Sequence, residues 1–259
     1  MQDLTISLVQ TNLYWQDTQA NLGMLEEKIW NLSGQTDLII LPEMFTTGFS
    51  MDAPVLAEPM NLTTFKWMKQ MAGQTGAVIT GSYIVNVKGD FFNRLIWMRP
   101  DGSYSHYDKR HLFRMADEHK VYTAGNKRII CDIKGWKIAP FICYDLRFPV
   151  WTRNSKAEMF DLMLFVANWP EKRAHMWNTL LQARAIENLS YVIGVNRVGE
   201  DGKQIHYSGD SAIINPKGET IYHLHETEAI HTELLSYEML YKYRKSFPAY
   251  LDADNFEII

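Results

Sequence analysis

Glu43, Lys109 and Cys143 are the side chains from which a reaction could be assembled. Two of them end apolar stretches that break off abruptly: Leu38-Ile39-Ile40-Leu41-Pro42 before Glu43, and Ile138-Ala139-Pro140-Phe141-Ile142 before Cys143. Leu162–Ala167 stops in the same way at Asn168. A buried strand with such an end delivers one polar side chain to the crevice at its carboxyl edge, where open α/β sheets bind ligands. Lys109 arrives by a shorter route, from the second arm of a hairpin. If these strands lie side by side, a carboxylate, an ammonium and a thiol converge. That is a base, an electrophile and a nucleophile, and sulfur attacks well at neutral pH when a base and a cation lie close. Taken singly, each has an ordinary explanation. A lone strand cysteine behaves as a small core hydrophobe, a glutamate can pair at a strand end, and a lysine can be one more surface cation.

The elements that would have to position them can be read from periodicity. Thr5–Gln10 alternates apolar and polar residues as a half-buried strand does, and Asp17–Trp30 carries Leu22, Leu25, Ile29 and Trp30 near one helical face. Asp37–Glu43 reads as a buried strand, Asn61–Met71 as a helix and Gly76–Ile84 as a strand. Phe92–Met98 and Tyr104–Tyr107 flank the turn Pro100-Asp101-Gly102 and so form a hairpin. From Lys109 to Gly125 periodicity is lost, which suggests a long functional loop. Arg128–Ile133, Trp136–Cys143, Leu162–Ala167 and Tyr191–Val195 are expected strands, with a long helix over Lys172–Leu189 whose inner face is Trp177, Leu180, Leu181 and Ala185. A hairpin over Ser211–Leu224, a strand over Ile230–Leu235 and a helix over Ser236–Lys245, capped by Ser236, follow. The aromatic and acidic tail from Phe247 is expected to lie on a neighbour. Interleaved strands, helices and hairpins give an α/β sandwich with a partly antiparallel sheet, in one domain over residues 1–259.

Composition excludes several classes of function. A net charge of −4 and a pI near 6.1 leave no global electrostatic footprint for nucleic acid. The amino end reads as a first strand, and the longest unbroken apolar run, Leu162–Ala167, is too short to span a bilayer. Two cysteines in a chain of 259 residues argue against a disulfide scaffold, so a soluble, cytoplasmic protein without membrane contact is expected. No dinucleotide or phosphate-binding glycine loop and no serine-hydrolase elbow occurs. His223 and His225 are the only close histidine pair, in a hairpin where metal binding carries little weight. No metal or organic cofactor is expected. Cys131, in an alternating strand, should be inert.

Three segments, in order, then carry a resemblance. Leu41-Pro42-Glu43, Asp108-Lys109-Arg110-His111-Leu112 and Cys143-Tyr144-Asp145-Leu146-Arg147-Phe148-Pro149 resemble the signature segments of the nitrilase superfamily, the carbon–nitrogen hydrolases. Arg184-Ala185-Ile186-Glu187-Asn188 and Gly209-Asp210-Ser211 are similar to its supporting segments, and the likeness covers almost the entire chain. The resemblance implies a four-layer αββα sandwich with mixed sheets that assembles as a homodimer or higher homo-oligomer. It implies a catalytic set of Glu43, Lys109 and Cys143, with Glu118, ahead of Gly125, as the supporting second glutamate; a surface-loop carboxylate is the alternative for Glu118. Glu43 would take the thiol proton, Cys143 would attack an amide carbonyl, and Lys109 with the backbone N–H of Tyr144 would hold the oxyanion. Losing one such donor typically costs about 3–4 kcal/mol, a hundredfold or more in rate.

Within the superfamily, Cys143-Tyr144-Asp145 resembles the amidase branches. The run Asp108–His119 together with Val166-Ala167-Asn168-Trp169-Pro170 looks like that of bacterial omega-amidases. These hydrolyse the terminal amide of 2-oxoglutaramate or 2-oxosuccinamate, in methionine salvage for example. Such a substrate ends in a carboxylate and requires a cation, for which Arg173 is the candidate; an exposed first-turn arginine is its alternative. Tyr144, Asn168, Trp169 and Phe49 are candidate pocket walls. One departure is Val150, where many amidase relatives carry glutamate after Arg-Phe-Pro. N-carbamoyl amino acid hydrolysis, general aliphatic amide hydrolysis and a non-catalytic interaction role on the same fold are the competing readings.

Overall fold

Alternate residues of the strand that leads to Glu43 face two different cores. Leu38 and Ile40 belong to the apolar cluster between two sheets, while Ile39 and Leu41 belong to a second cluster on the outside. This is what period-two alternation imposes on a strand covered on both faces. The computed structural model describes residues 2–155, 158–254 and 256. In chain order its elements are strand β1 (Leu4–Gln10), helix α1 (Thr18–Ile29), β2 (Leu38–Ile40), α2 (Ala53–Leu56), β3 (Glu58–Pro59), α3 (Thr63–Thr75), β4 (Val78–Val87), β5 (Asp90–Met98) and β6 (Tyr104–Asp108). There follow α4 (Glu118–Val121), β7 (Cys131–Ile133), β8 (Trp136–Ile142), β9 (Leu162–Ala167), α5 (Ala174–Asn188), β10 (Tyr191–Asn196), β11 (Val198–Glu200), β12 (His206–Ile214), β13 (Thr220–His225), β14 (Ala229–Leu235) and α6 (Tyr237–Ser246).

The strands form two seven-stranded mixed sheets, the first from β1–β6 with β14 added at its edge and the second from β7–β13. The first runs β14-β1-β2-β4-β5-β6, with β3 beside β4; β1, β2, β4 and β3 pair in parallel, and the pairings made by β14, β5 and β6 are antiparallel. The second runs β11-β12-β10-β9-β8-β7, with β13 beside β12; β8, β9 and β10 are its parallel centre. Leu4, Ile6 and Leu8 of β1 meet Phe141, Phe165 and Ile193 of the second sheet in the shared core. Helices α1 and α3 cover the outer face of the first sheet through Leu22, Leu25, Phe65 and Met68. Helix α5 covers the second, and so closely that a Cβ on Gly194 would lie 2.5 Å from Trp177. Ser236 caps α6, its side chain accepting from the Met239 N–H, as the sequence suggests. The mixed sheets flanked by helices match the expected sandwich.

Several boundaries differ from the sequence reading, each for a local reason. Strand β2 ends at Ile40 because Pro42 has no N–H to donate and Met44 takes a φ of +43°. The loop after Lys109 contains a 3₁₀ turn at Arg114–Ala116 and the single-turn α4. A 3₁₀ turn at Glu171–Arg173 precedes α5, which therefore starts at Ala174 rather than Lys172. The strands bearing Glu43 and Cys143 do not lie side by side. β2 pairs with β1 and β4, β8 with β7 and β9, so the two ends meet across the sandwich instead. Of the tail, residues 255 and 257–259 lie outside the described residues, and the expected contact with a neighbour falls partly on them. No helix among the described residues is long and apolar enough to cross a membrane.

Candidate active site

Strand β8 is buried at every position but Lys137, so nothing in its run can reach solvent until the chain turns at Cys143. The turn is abrupt. Cys143 has a φ of +43° and begins a 3₁₀ segment that runs to Arg147. A non-glycine residue held there stores on the order of 1–3 kcal/mol, the kind of strain that clusters where function requires it. From the facing sheet, β2 delivers Glu43 and β6 delivers Lys109. Lys109 is pinned at both sides, its N–H donating to Asn93 O at 3.0 Å and its carbonyl accepting from Gly125 N at 2.9 Å. Gly125 must be a glycine here, since a Cβ would lie 2.1 Å from the Asp108 carbonyl oxygen.

These routes bring Glu43, Lys109, Glu118 and Cys143 into one buried cluster. Lys109 Nζ donates to Glu43 Oε1 at 2.8 Å and to both oxygens of Glu118 at 3.0 Å. The equal distances to Glu118 fit one shared N–H, which leaves a third proton of the ammonium free for another acceptor. Glu43 Oε2 accepts from the backbone N–H of Asn168 at 2.8 Å, and the Asn168 amide donates to the Glu43 carbonyl. Glu118 also accepts from Phe113 N, tying the loop to the cluster. The Cys143 thiol lies within the electrostatic reach of Glu43, Lys109 and Glu118.

The electrostatics follow from this geometry. Burial alone would push Lys109 toward the neutral amine; Glu118 and Glu43 outweigh it and hold the ammonium above its ordinary range. Burial raises Glu118, with Lys109 opposing and Glu43 adding to the shift. Burial, followed by the charge of Glu43, pushes the Cys143 thiol well above its ordinary value although Lys109 opposes. The resting sulfur is therefore a thiol beside a base, not a standing thiolate.

The cluster opens on a cavity of about 280 Å³. Phe49, Phe113, Tyr144 and Trp169 give it aromatic walls, and Lys109, Cys143 and Asn168 line it beside the buried cluster. Tyr144 packs edge-on against Phe113 and Phe148, while Trp169 fixes itself through its indole N–H to Arg173 O at 2.8 Å. Arg173 also lines the cavity, with its guanidinium 5.2 Å from the centre of the Phe113 ring. All the candidate residues thus lie in or directly behind one cavity, and Asn168 holds Glu43 as well as facing it.

Sequence reasoning missed four residues here. Asn93, buried in mid-strand, donates its amide to Glu43 Oε1 at 2.8 Å and Glu118 Oε1 at 3.4 Å. The only hint was a polar pair, Asn93-Arg94, inside an otherwise apolar strand. Arg147 and Lys203 add two cations to the cavity, and Asp201 shapes the loop carrying Lys203 by accepting from Lys203 N, Ile205 N and the Tyr207 hydroxyl. Outside the cavity, Cys131 is buried and its thiol is pushed up to about 12 by burial. His223 and His225 both bond to Asp210 Oδ1, at 2.9 and 3.1 Å. Among the described residues, Glu171, His206 and Glu226 are the one trio whose ligating atoms come close enough to share a metal ion, and all three are exposed.

The carbon–nitrogen hydrolase family model matches residues 5–245. An omega-amidase of Escherichia coli K12, YafV, is 47% identical over 260 residues, covering 100% of both chains. A 2-oxoglutaramate amidase of Bacillus subtilis is 30% identical over 96% of each chain. The crystal structure of a CN-hydrolase superfamily protein from Xanthomonas campestris, with an arsenic adduct in its active site, superposes with a TM-score of 0.97 at 48% identity over 100% of both chains. With the family matched over nearly its whole length and the fold shared, the chain belongs to the carbon–nitrogen hydrolases of the nitrilase superfamily.

Proposed function

We propose that this protein is an omega-amidase, hydrolysing the terminal amide of 2-oxoglutaramate or 2-oxosuccinamate to the 2-oxo dicarboxylate and ammonia. The observation that carries the reading is the buried cluster of Glu43, Lys109, Glu118 and Cys143 opening on a cavity that also holds Arg147, Arg173 and Lys203. In this reading Glu43 takes the thiol proton as the Cys143 sulfur attacks the amide carbon. The free proton of Lys109 and the backbone N–H of Tyr144 meet the oxyanion, in a site where water cannot compete with them. Glu43 then passes its proton to the departing nitrogen, and ammonia leaves. A water activated by Glu43 hydrolyses the thioester and frees Cys143. Glu118 supports the set by holding Lys109 charged and in place.

The cavity's charges favour an anion at the other end. Arg147 and Arg173 rest their guanidinium groups on the faces of Trp169 and Phe113 rather than on carboxylates, so both are available to a substrate. Asp201 is the only acid lining the cavity among the described residues, and its oxygens already accept three hydrogen bonds. Arg147, Arg173 and Lys203 outnumber this one loop-bound acid, so the lining favours a 2-oxo acid over glutamine or asparagine. Asn168 and Trp169 close the cavity beside the scissile amide. Ammonia release from 2-oxoglutaramate, glutamine, asparagine and an N-carbamoyl amino acid tests the reading. Preference for the 2-oxo amide supports it, and preference for the carbamoyl compound replaces it. Cytoplasmic location and assembly as a homodimer or higher homo-oligomer belong to the same proposal, the second checked by sedimentation of the purified chain.

A further inference from the structure

Asp145 has so far been given no task, yet it is fully buried and accepts four hydrogen bonds. Oδ2 accepts from Ile142 N at 3.1 Å and from the Tyr107 hydroxyl at 2.7 Å. Oδ1 accepts from the N–H of His111 at 3.0 Å and from its ring Nδ1 at 2.7 Å. Ile142 immediately precedes Cys143, while Tyr107 and His111 stand two residues on either side of Lys109. One side chain therefore grips the nucleophile's turn on one sheet and the lysine's segment on the other.

The donors are fixed in turn. A carboxylate has no proton to offer, so His111 Nδ1 must carry the hydrogen. Its ring is stacked on Phe148 with centres 3.7 Å apart. Burial, and then the charge of Asp145, hold the Tyr107 phenol well above its ordinary range, so it stays a donor. It gives its single proton to Asp145 and accepts from Trp151 Nε1 at 2.9 Å and Arg110 N at 3.3 Å. The backbone carbonyl of Asp145 accepts from Phe148 N at 3.0 Å, closing the turn. Both Asp145 oxygens and the Tyr107 hydroxyl are fully engaged, which is what rigidity in a buried polar network requires.

We propose that Asp145 is a positioning residue that sets the distance between the sulfur of Cys143 and the ammonium of Lys109, acting through Ile142 on one side and through Tyr107 and His111 on the other. Without it, the turn at Cys143 loses its tie to the Lys109 segment and the two reactive groups are free to drift apart. The inference rests on the reading of Cys143 as the nucleophile, and the test separates the two.

The full chain is compared with its Asp145→Asn, His111→Asn, His111→Ala and Cys143→Ala variants on 2-oxoglutaramate. Rates are normalised to the folded fraction measured by circular dichroism, and alkylation of Cys143 by iodoacetamide is followed beside them. Asp145→Asn is expected to lower kcat about a hundredfold, the usual cost of a reactive group displaced by about an ångström, with KM held within about twofold and alkylation also slowed. His111→Asn, whose amide nitrogen can stand in for Nδ1, should stay within about threefold of the parent, and His111→Ala should fall at least about tenfold. The His111 pair decides the matter if Asp145→Asn fails to fold. Parental kcat in Asp145→Asn or in His111→Ala, or losses that vanish on normalisation, overturn the positioning role while leaving Cys143 in place. Full ammonia release by Cys143→Ala overturns both.

Discussion

Replacing Arg173 by methionine removes one positive charge from the cavity while keeping a flexible apolar stem against Phe113. Arg173 is half-buried, its guanidinium rests on that ring 5.2 Å from its centre, and the hydrogen bond it receives from Trp169 uses its backbone carbonyl. The fold should therefore be unchanged within about 0.5 kcal/mol. A hydrogen bond to a charged group contributes roughly 1.5–3 kcal/mol, and each 1.4 kcal/mol is a factor of about ten. That brackets the loss between about tenfold and a hundredfold, and because Arg147 and Lys203 remain on the same cavity the lower end, about tenfold, is expected. The loss should fall on KM and spare kcat, since a distant carboxylate is held equally in the ground and transition states. Ammonia release from 2-oxoglutaramate and from a short neutral amide measures it. A rise in KM confined to the anionic substrate supports the reasoning. Equal losses on both amides, or none on either, would remove Arg173 from substrate binding.

Other outcomes follow from the same geometry. Because burial holds the Cys143 thiol well above its ordinary value, the thiolate fraction is small at neutral pH and grows as pH rises. Iodoacetamide labelling without substrate should climb through pH 9 with no plateau below it, and a plateau near neutrality would refute a resting thiol. Cys131→Ala should leave kcat and the labelling stoichiometry unaltered. Asn93→Asp sets a third carboxylate beside Glu43 and Glu118 around a single ammonium; urea denaturation should show a loss of about 3–5 kcal/mol. Gly125→Ala forces its Cβ toward the Asp108 carbonyl, and a loss of about 1–3 kcal/mol together with weaker activity is expected, read by thermal melting beside the ammonia assay.

The legible parts of this molecule were those written locally. Apolar runs that stop at Glu43, Cys143 and Asn168 announce both the strand and the side chain it delivers. What pairs with what is written nowhere locally. Nothing in Leu38–Ile40 or Trp136–Ile142 says that they occupy different sheets, because pairing is decided by contacts far apart in sequence. Lys109 had no distinguishing local signal and owed its assignment to the motif around it. Asn93 was visible as an anomaly in an apolar strand, but its partners lie 50 and 25 residues away. Arg147 and Lys203 carry no local mark of a cavity residue; Trp169 and the Asp201 turn place them on one cavity. The loop from Lys109 to Gly125 read as irregular because its single helical turn at Glu118 is too short to show a period.

The base and the sulfur hang from opposite plates of the molecule, like the two jaws of a clamp. Their spacing is maintained by the grease between the plates and by a few cross-ties, not by hydrogen bonding within either plate. Gentle warming that lets one plate slide on the other will open the jaws before any strand is lost. Turnover should accordingly fade at temperatures where the far-ultraviolet dichroism still reports an intact protein.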